Sequence, residues 1–170
     1  MTESNRPPLP HDFMPQVPSF DVSSDSMQHG GKLPDEHVYE LGNVSPQLSW
    51  QGFPDGTRSF AVTCYDPDAP TGSGFWHWVL FDIPATTMQL PEAFQAGSVG
   101  VSGNSGFRRQ GYGGPCPPSG SHHYHFMLSA LDVPTLGLPA GATKADVEKA
   151  MEGHGIGRAE NVGLYQRQPK

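Results

Sequence analysis

The sequence predicts a mainly β protein with antiparallel strands, and three observations carry that expectation. Gly and Pro number 21 and 18 among 170 residues, residues that are poor inside helices and useful at bends. Three segments of strand length, residues 59–65, 75–83 and 122–132, alternate or run apolar. A single segment, residues 143–152, has both a start and a stop signal for a helix. The chain is 35% hydrophobic and 10% aromatic, enough for a core without a disulfide or structural metal.

Residues 1–17 carry Pro7, Pro8, Pro10 and Pro15 and read as an extended arm, leaving residues 18–170 as one domain with no internal repeat. In residues 59–65, Phe60, Val62 and Cys64 share one face and Ala61, Thr63 and Tyr65 the other, until Asp66-Pro67 stops the run. In residues 75–83, alternation sets Phe75, His77, Val79 and Phe81 opposite Trp76, Trp78 and Leu80, with Pro84 as the end. From residue 122 on, His122, Tyr124, Phe126, Leu128 and Ala130 form a face expected to be buried, opposite His123, His125, Met127, Ser129 and Leu131.

Residues 45–50 and 162–166 are weaker strands, and the Gly-rich residues 97–118 read as loop. In the helix, Thr143 and Asp146 have capping-box spacing, Val147, Ala150 and Met151 share a face, and Gly153 ends it.

A formal charge of −7 excludes nucleic acid as an expected partner and disfavours attachment to anionic membranes, since both interactions draw on clustered Lys and Arg. No apolar run reaches the roughly 20 residues of a spanning helix. The N-terminal residues lack a signal-peptide pattern, so the expectation is a cytoplasmic protein with Cys64 and Cys116 as free thiols.

Three constellations could carry chemistry. Asp66-Pro67-Asp68-Ala69-Pro70 holds two carboxylates on a turn stiffened by proline; its plain alternative is a turn whose Asp side chains cap backbone N–H groups. His77, between Trp76 and Trp78, points among apolar neighbours and could equally be a satisfied core histidine. Cys116-Pro117-Pro118-Ser119-Gly120-Ser121-His122-His123-Tyr124 delivers a His and a Tyr to one strand face after a loop whose N–H groups could cradle an anion; an ordinary aromatic hairpin is the alternative.

Taken with Ser45-Pro46-Gln47-Leu48-Ser49-Trp50, His77-Trp78, Asp82-Ile83-Pro84 and Gly111-Tyr112-Gly113-Gly114-Pro115-Cys116-Pro117-Pro118, these segments resemble the phosphatidylethanolamine-binding family, in particular its bacterial Raf kinase inhibitor-like branch. The match runs over residues 18–167. The resemblance implies a central antiparallel sheet packed on a smaller sheet, one or two peripheral helices, and a small pocket at one end of the strands. It places Asp66, Asp68, Pro70, His77, Cys116, Pro117, Pro118, His122 and Tyr124 around that pocket as ligand-binding residues.

The implied function is binding of a small anion, phosphate or a phosphorylated head group, in a regulatory setting. No catalytic residue, cofactor or metal is implied. The alternative is a protein-interaction module that inhibits or scaffolds a kinase or protease through the pocket region; a homodimer stays open. Within the pocket, the favoured role of Asp66 is to hydrogen-bond a histidine and hold it protonated.

One departure stands out. His123 occupies the position where the family usually has Arg, so an ion pair outside the pocket is missing or replaced. Two enzyme readings are set aside. Ser119 or Ser121 with His122 and Asp66 lacks a nucleophile elbow. His123 and His125, on the face opposite His122, make an incomplete zinc set.

Overall fold

A computed structural model describes residues 17–39, 42–68, 75–94, 99–107, 109–114 and 120–167; the expected N-terminal arm lies outside them except for Val17. Among the described residues, eight strands form two antiparallel sheets. The larger contains β3 (Ser59–Asp66), β4 (Phe75–Pro84), β6 (Val101–Ser102), β7 (Gly120–Leu131) and β8 (Gly155–Arg167), in the order β6-β4-β3-β7-β8. The smaller has the order β1-β2-β5, from β1 (Asp21–Ser23), β2 (Leu48–Gln51) and β5 (Gln89–Leu90). Among the described residues, one α-helix, α1 (Lys144–Met151), and a 3-10 turn at Asp35–His37 complete the regular elements.

Each face of the larger sheet is covered by something different. Phe60, Val62 and Cys64 of β3, with Trp78, Leu80 and Ile83 of β4 and Tyr124, Phe126, Leu128 and Ala130 of β7, pack against Leu48, Trp50 and Leu90 of the smaller sheet. Ala61, Tyr65, Trp76, Val79, Phe81 and Leu131 pack on the other side with Ala142 and with Val147 and Met151 of α1. Each fully buried side chain of this size stabilises the fold by roughly 1.5–3 kcal/mol before entropy is counted. Because both faces are covered, His125, Met127 and Ser129 on the second face of β7 are buried as well, which alternation alone did not predict.

The helix forms where its signals place it. The Thr143 side chain accepts a hydrogen bond from the N–H of Asp146 at 3.2 Å, satisfying one of the donors left open in a first turn. Gly153, just past the end, has φ +81°, a conformation that costs glycine nothing.

Two bulges in β4 correct the expected facing of its residues. Cys64 pairs with Trp78 and Tyr65 with Trp76, leaving His77 without an opposite residue; Phe60 pairs with Ile83 and Val62 with Leu80, so a second extra residue falls before Ile83. Trp76 therefore shares a face with Val79 and Phe81, while His77 turns with Trp78 towards Tyr124. Asp82, in the second bulge, has φ +55°; its carboxylate accepts from Thr135 Oγ1 and Leu136 N, both at 2.8 Å. Such bulges re-aim a side chain next to the point where regular pairing ends.

β8 is much longer than the segment expected at 162–166, and within the Gly-rich region Val101–Ser102 pairs with β4 as a short edge strand.

Candidate anion site at one end of the strands

β3 pairs with β7 in unbroken register from Ser59↔Leu131 to Tyr65↔His125. Continuing one residue, Asp66 falls on the same face as Cys64 and Val62, at the level of Tyr124, with His122 two positions further along β7. The bulge in β4 sends His77 to that face too. Side chains from three neighbouring strands thus converge where the pairing ends. All four are buried, with relative exposures of 2% for Asp66, 3% for His77, 6% for His122 and 0% for Tyr124.

The hydrogen bonds give each group a fixed orientation. His122 Nδ1 donates to Asp66 Oδ2 at 2.7 Å, which fixes the ring so that Nε2 points away from the carboxylate. The other Asp66 oxygen accepts from the N–H of Asp68 at 2.8 Å, a local bond that holds the turn after β3. His77 Nδ1 donates to the Gly113 carbonyl at 2.7 Å, and Gly113 N–H donates back to the His77 carbonyl at 2.9 Å. The Tyr124 ring contacts both imidazoles: edge-on to His77, with centroids 5.2 Å apart, and stacked near His122 at 6.4 Å.

Burial pushes the His77 imidazole down to about 4, only partly offset by the bond to Gly113 and by the charge of Asp66. Desolvation disfavours the charged ring more than these neighbours favour it. His77 is accordingly neutral near pH 7, with its proton on Nδ1 and a lone pair on Nε2. Burial, and then the nearby Asp66, raise the Cys64 thiol well above its ordinary range; Cys64 is a free cysteine.

The loop supporting His77 is packed tightly from behind. A Cβ at Gly114 would collide with the His37 carbonyl, so only glycine allows this approach. Gly114 N–H donates to Asn43 Oδ1 at 2.7 Å and Tyr112 Oη donates to the His37 carbonyl at 2.9 Å.

Of the residues singled out from sequence, the fold brings Asp66, His77, His122 and Tyr124 together. Beside them, Asp68 Oδ2 accepts from both the backbone N–H and Nδ1 of His123, each at 2.8 Å. His123 thus turns to Asp68 while His122 turns to Asp66, so the two adjacent rings face opposite ways. His125 pairs with Glu160 at 3.1 Å. Pro70, Cys116, Pro117 and Pro118 lie outside the described residues. Gly113 was legible only as part of a Gly-rich run; its carbonyl acts on His77 across 36 residues, a contact that no local pattern encodes.

A five-stranded sheet against a three-stranded one, with a helix on the outer face and an Asp, two His and a Tyr buried at the strand ends, defines the class of this molecule. The chain belongs to the phosphatidylethanolamine-binding protein family, whose profile matches residues 23–166. It is 40% identical over 167 residues to the UPF0098 protein YbcL of Escherichia coli, with 91% of each chain covered. A UPF0098 protein of Methanothermobacter thermautotrophicus is 46% identical over 142 residues, 81% of this chain and 92% of the relative.

The crystal structure of E. coli YbcL, described as a new member of the mammalian PEBP family, superposes with a TM-score of 0.83 at 39% identity, covering 88% of this chain and 99% of the other. The homolog CT736 of Chlamydia trachomatis follows at 0.81 and 30% identity, with the same coverage. Among the described residues no helix is long and apolar enough to cross a membrane.

Proposed function

We propose that the cluster of Asp66, His77, His122 and Tyr124 binds a small anion, phosphate or a phosphorylated head group, and that the chain acts by binding rather than by turnover. The supporting observation is the 2.7 Å bond from His122 Nδ1 to Asp66. A carboxylate in this position stabilises the imidazolium form and directs the second N–H of the ring towards a ligand. A buried anion requires such charge-assisted donors, because its desolvation otherwise costs several kcal/mol.

His77 contributes differently. Its single proton is committed to Gly113, so Nε2 offers an acceptor. That suits an anion which keeps a hydroxyl proton, as a phosphomonoester or hydrogen phosphate does, over one without. Asp68, Pro70, Cys116, Pro117 and Pro118 enter this proposal through the family resemblance.

The test is titration of inorganic phosphate into ¹⁵N-labelled protein. The expected result is that the ring signals of His77 and His122 shift together and saturate at one phosphate per chain. Shifts confined to other residues would remove the reading.

A further inference from the structure

A second cluster, formed by other residues, lies where the 3-10 turn at Asp35–His37 meets the segment after β5. The His37 side chain is fully buried at 0% exposure. Its Nδ1 lies 2.8 Å from the Val44 carbonyl oxygen. A carbonyl can only accept, so Nδ1 carries a hydrogen and the opposite nitrogen, Nε2, is set by that bond. Nε2 has no hydrogen-bond partner. It faces Glu36 Oε1 at 3.8 Å and Glu92 Oε2 at 3.9 Å, and the three atoms lie within 4.8 Å of one another.

Neither protonation state of the ring satisfies this arrangement. A neutral His37 directs a lone pair at two carboxylates, an acceptor among acceptors. A charged His37 has an N–H separated from both oxygens by more than hydrogen-bonding distance. Either way a buried polar atom is left unpaired, at a cost of about 1–3 kcal/mol. A cation bound between the three atoms removes the defect, since each is then a ligand.

We propose that Glu36, His37 and Glu92 bind one divalent transition metal ion, of which Zn²⁺ is the type, with water in the remaining coordination positions. One imidazole and two carboxylates suit zinc and its neighbours, whereas Ca²⁺ and Mg²⁺ take oxygen ligands and a copper(I) or iron–sulfur site takes sulfur. Donor atoms around a tetrahedral zinc stand roughly 3.3 Å apart. Closing the two His37–carboxylate distances needs a shift of about half an ångström from each carboxylate, and the two carboxylates must also draw together, which Glu36 and Glu92 can supply because their side chains are 57% and 43% exposed.

The surroundings are those of a supported site. The Val44 carbonyl on Nδ1 is the kind of outer partner that fixes the tautomer of a metal-bound histidine. Ser26 Oγ donates to Glu92 Oε2 at 2.9 Å while accepting from Gln47 N–H at 2.9 Å, which steadies the second carboxylate. The backbone holds the two donor segments to adjacent residues: Val44 N–H donates to the Glu36 carbonyl at 3.1 Å, and Ala93 N–H to the Ser45 carbonyl at 2.9 Å.

The test uses the full chain stripped with a chelator and titrated with Zn²⁺ alone, read by calorimetry and by the ¹⁵N ring signals of His37. The expected result is one tight equivalent per chain, with the Nε2 signal of His37 moving to the range of metal-bound imidazole. Glu36→Gln and Glu92→Gln should each weaken binding about tenfold or more, and the double variant should abolish it. Both side chains are exposed, so these variants keep the fold where removal of buried His37 would not. Zinc that binds the double variant as tightly, an unmoved His37 signal at saturation, or no binding at all would overturn the proposal.

Discussion

Asp66 Oδ2 and His122 Nδ1 lie 2.7 Å apart and both are buried, although 56 residues separate them in sequence. The antiparallel pairing of β3 with β7 produces this contact, because it brings the last residue of one strand beside the first part of the other.

Adjacent histidines on β7 should respond unequally to substitution. His122→Ala removes a donor from a desolvated site and should weaken phosphate binding by about 1.5–3 kcal/mol, roughly ten- to a hundredfold. His123→Ala breaks only the partly exposed contact with Asp68, and an exposed pair of this kind is worth roughly 0–1 kcal/mol. Calorimetric titration of both variants checks this, and equal losses would point to diffuse attraction instead of a built site.

Sulfate is a sharper probe of pH dependence than phosphate, because its charge stays constant across the range and it carries no proton for His77 Nε2. Free His77 is held down to about 4, and a bound dianion favours its charged form. Binding then takes up a proton, so sulfate affinity should rise as pH falls from 8 to 5. An isotherm series that is flat over that interval would contradict the involvement of His77.

Stability should carry the signature of the same histidine. The unfolded ring has its ordinary value near 6.5 and the folded ring about 4. Above 6.5 both states are neutral and His77 makes no difference. As pH falls between these values the unfolded chain takes up a proton that the folded one refuses, so stability drops. The full loss is about 3 kcal/mol, reached as pH passes through the folded value. Urea denaturation from pH 7.5 to 4 should show a slope in the native protein that is reduced in His77→Asn, which keeps an N–H able to reach Gly113 but cannot ionise.

Cys64 should be silent towards thiol reagents in the native state. It is buried, and burial together with Asp66 raises its pKa, so the reactive thiolate is scarce and inaccessible. Peptide mapping after iodoacetamide treatment should find Cys64 modified only under denaturing conditions; rapid native labelling would contradict the closed packing of β3.

What the sequence determined by itself was the local pattern. The apolar run ending at Asp66, the alternation from His122 onward, and the Thr143, Asp146 and Gly153 signals each express a preference within a few residues. The β3, β7 and α1 segments accordingly lie where the pattern put them. Alternation likewise sufficed to set His122 and His123 on opposite faces.

Tertiary structure decided the rest, because it depends on partners distant in sequence. Nothing near His77 announces the two bulges of β4, which arise from pairing with β3 and turn Trp76 and His77 to faces that simple alternation denies them. β8 hides its strand character behind Gly155, Gly157 and Gly163 and behind Arg158, Glu160 and Asn161; it is a strand because β7 offers an edge to pair with along its length, with one register shift at Ala130/Leu131. The meeting of Asp66 with His122, of His77 with Gly113 and of His37 with Glu92 follows from strand order and loop packing. A one-dimensional pattern can state which side a residue faces, but which residue it meets is settled only when strands choose their neighbours.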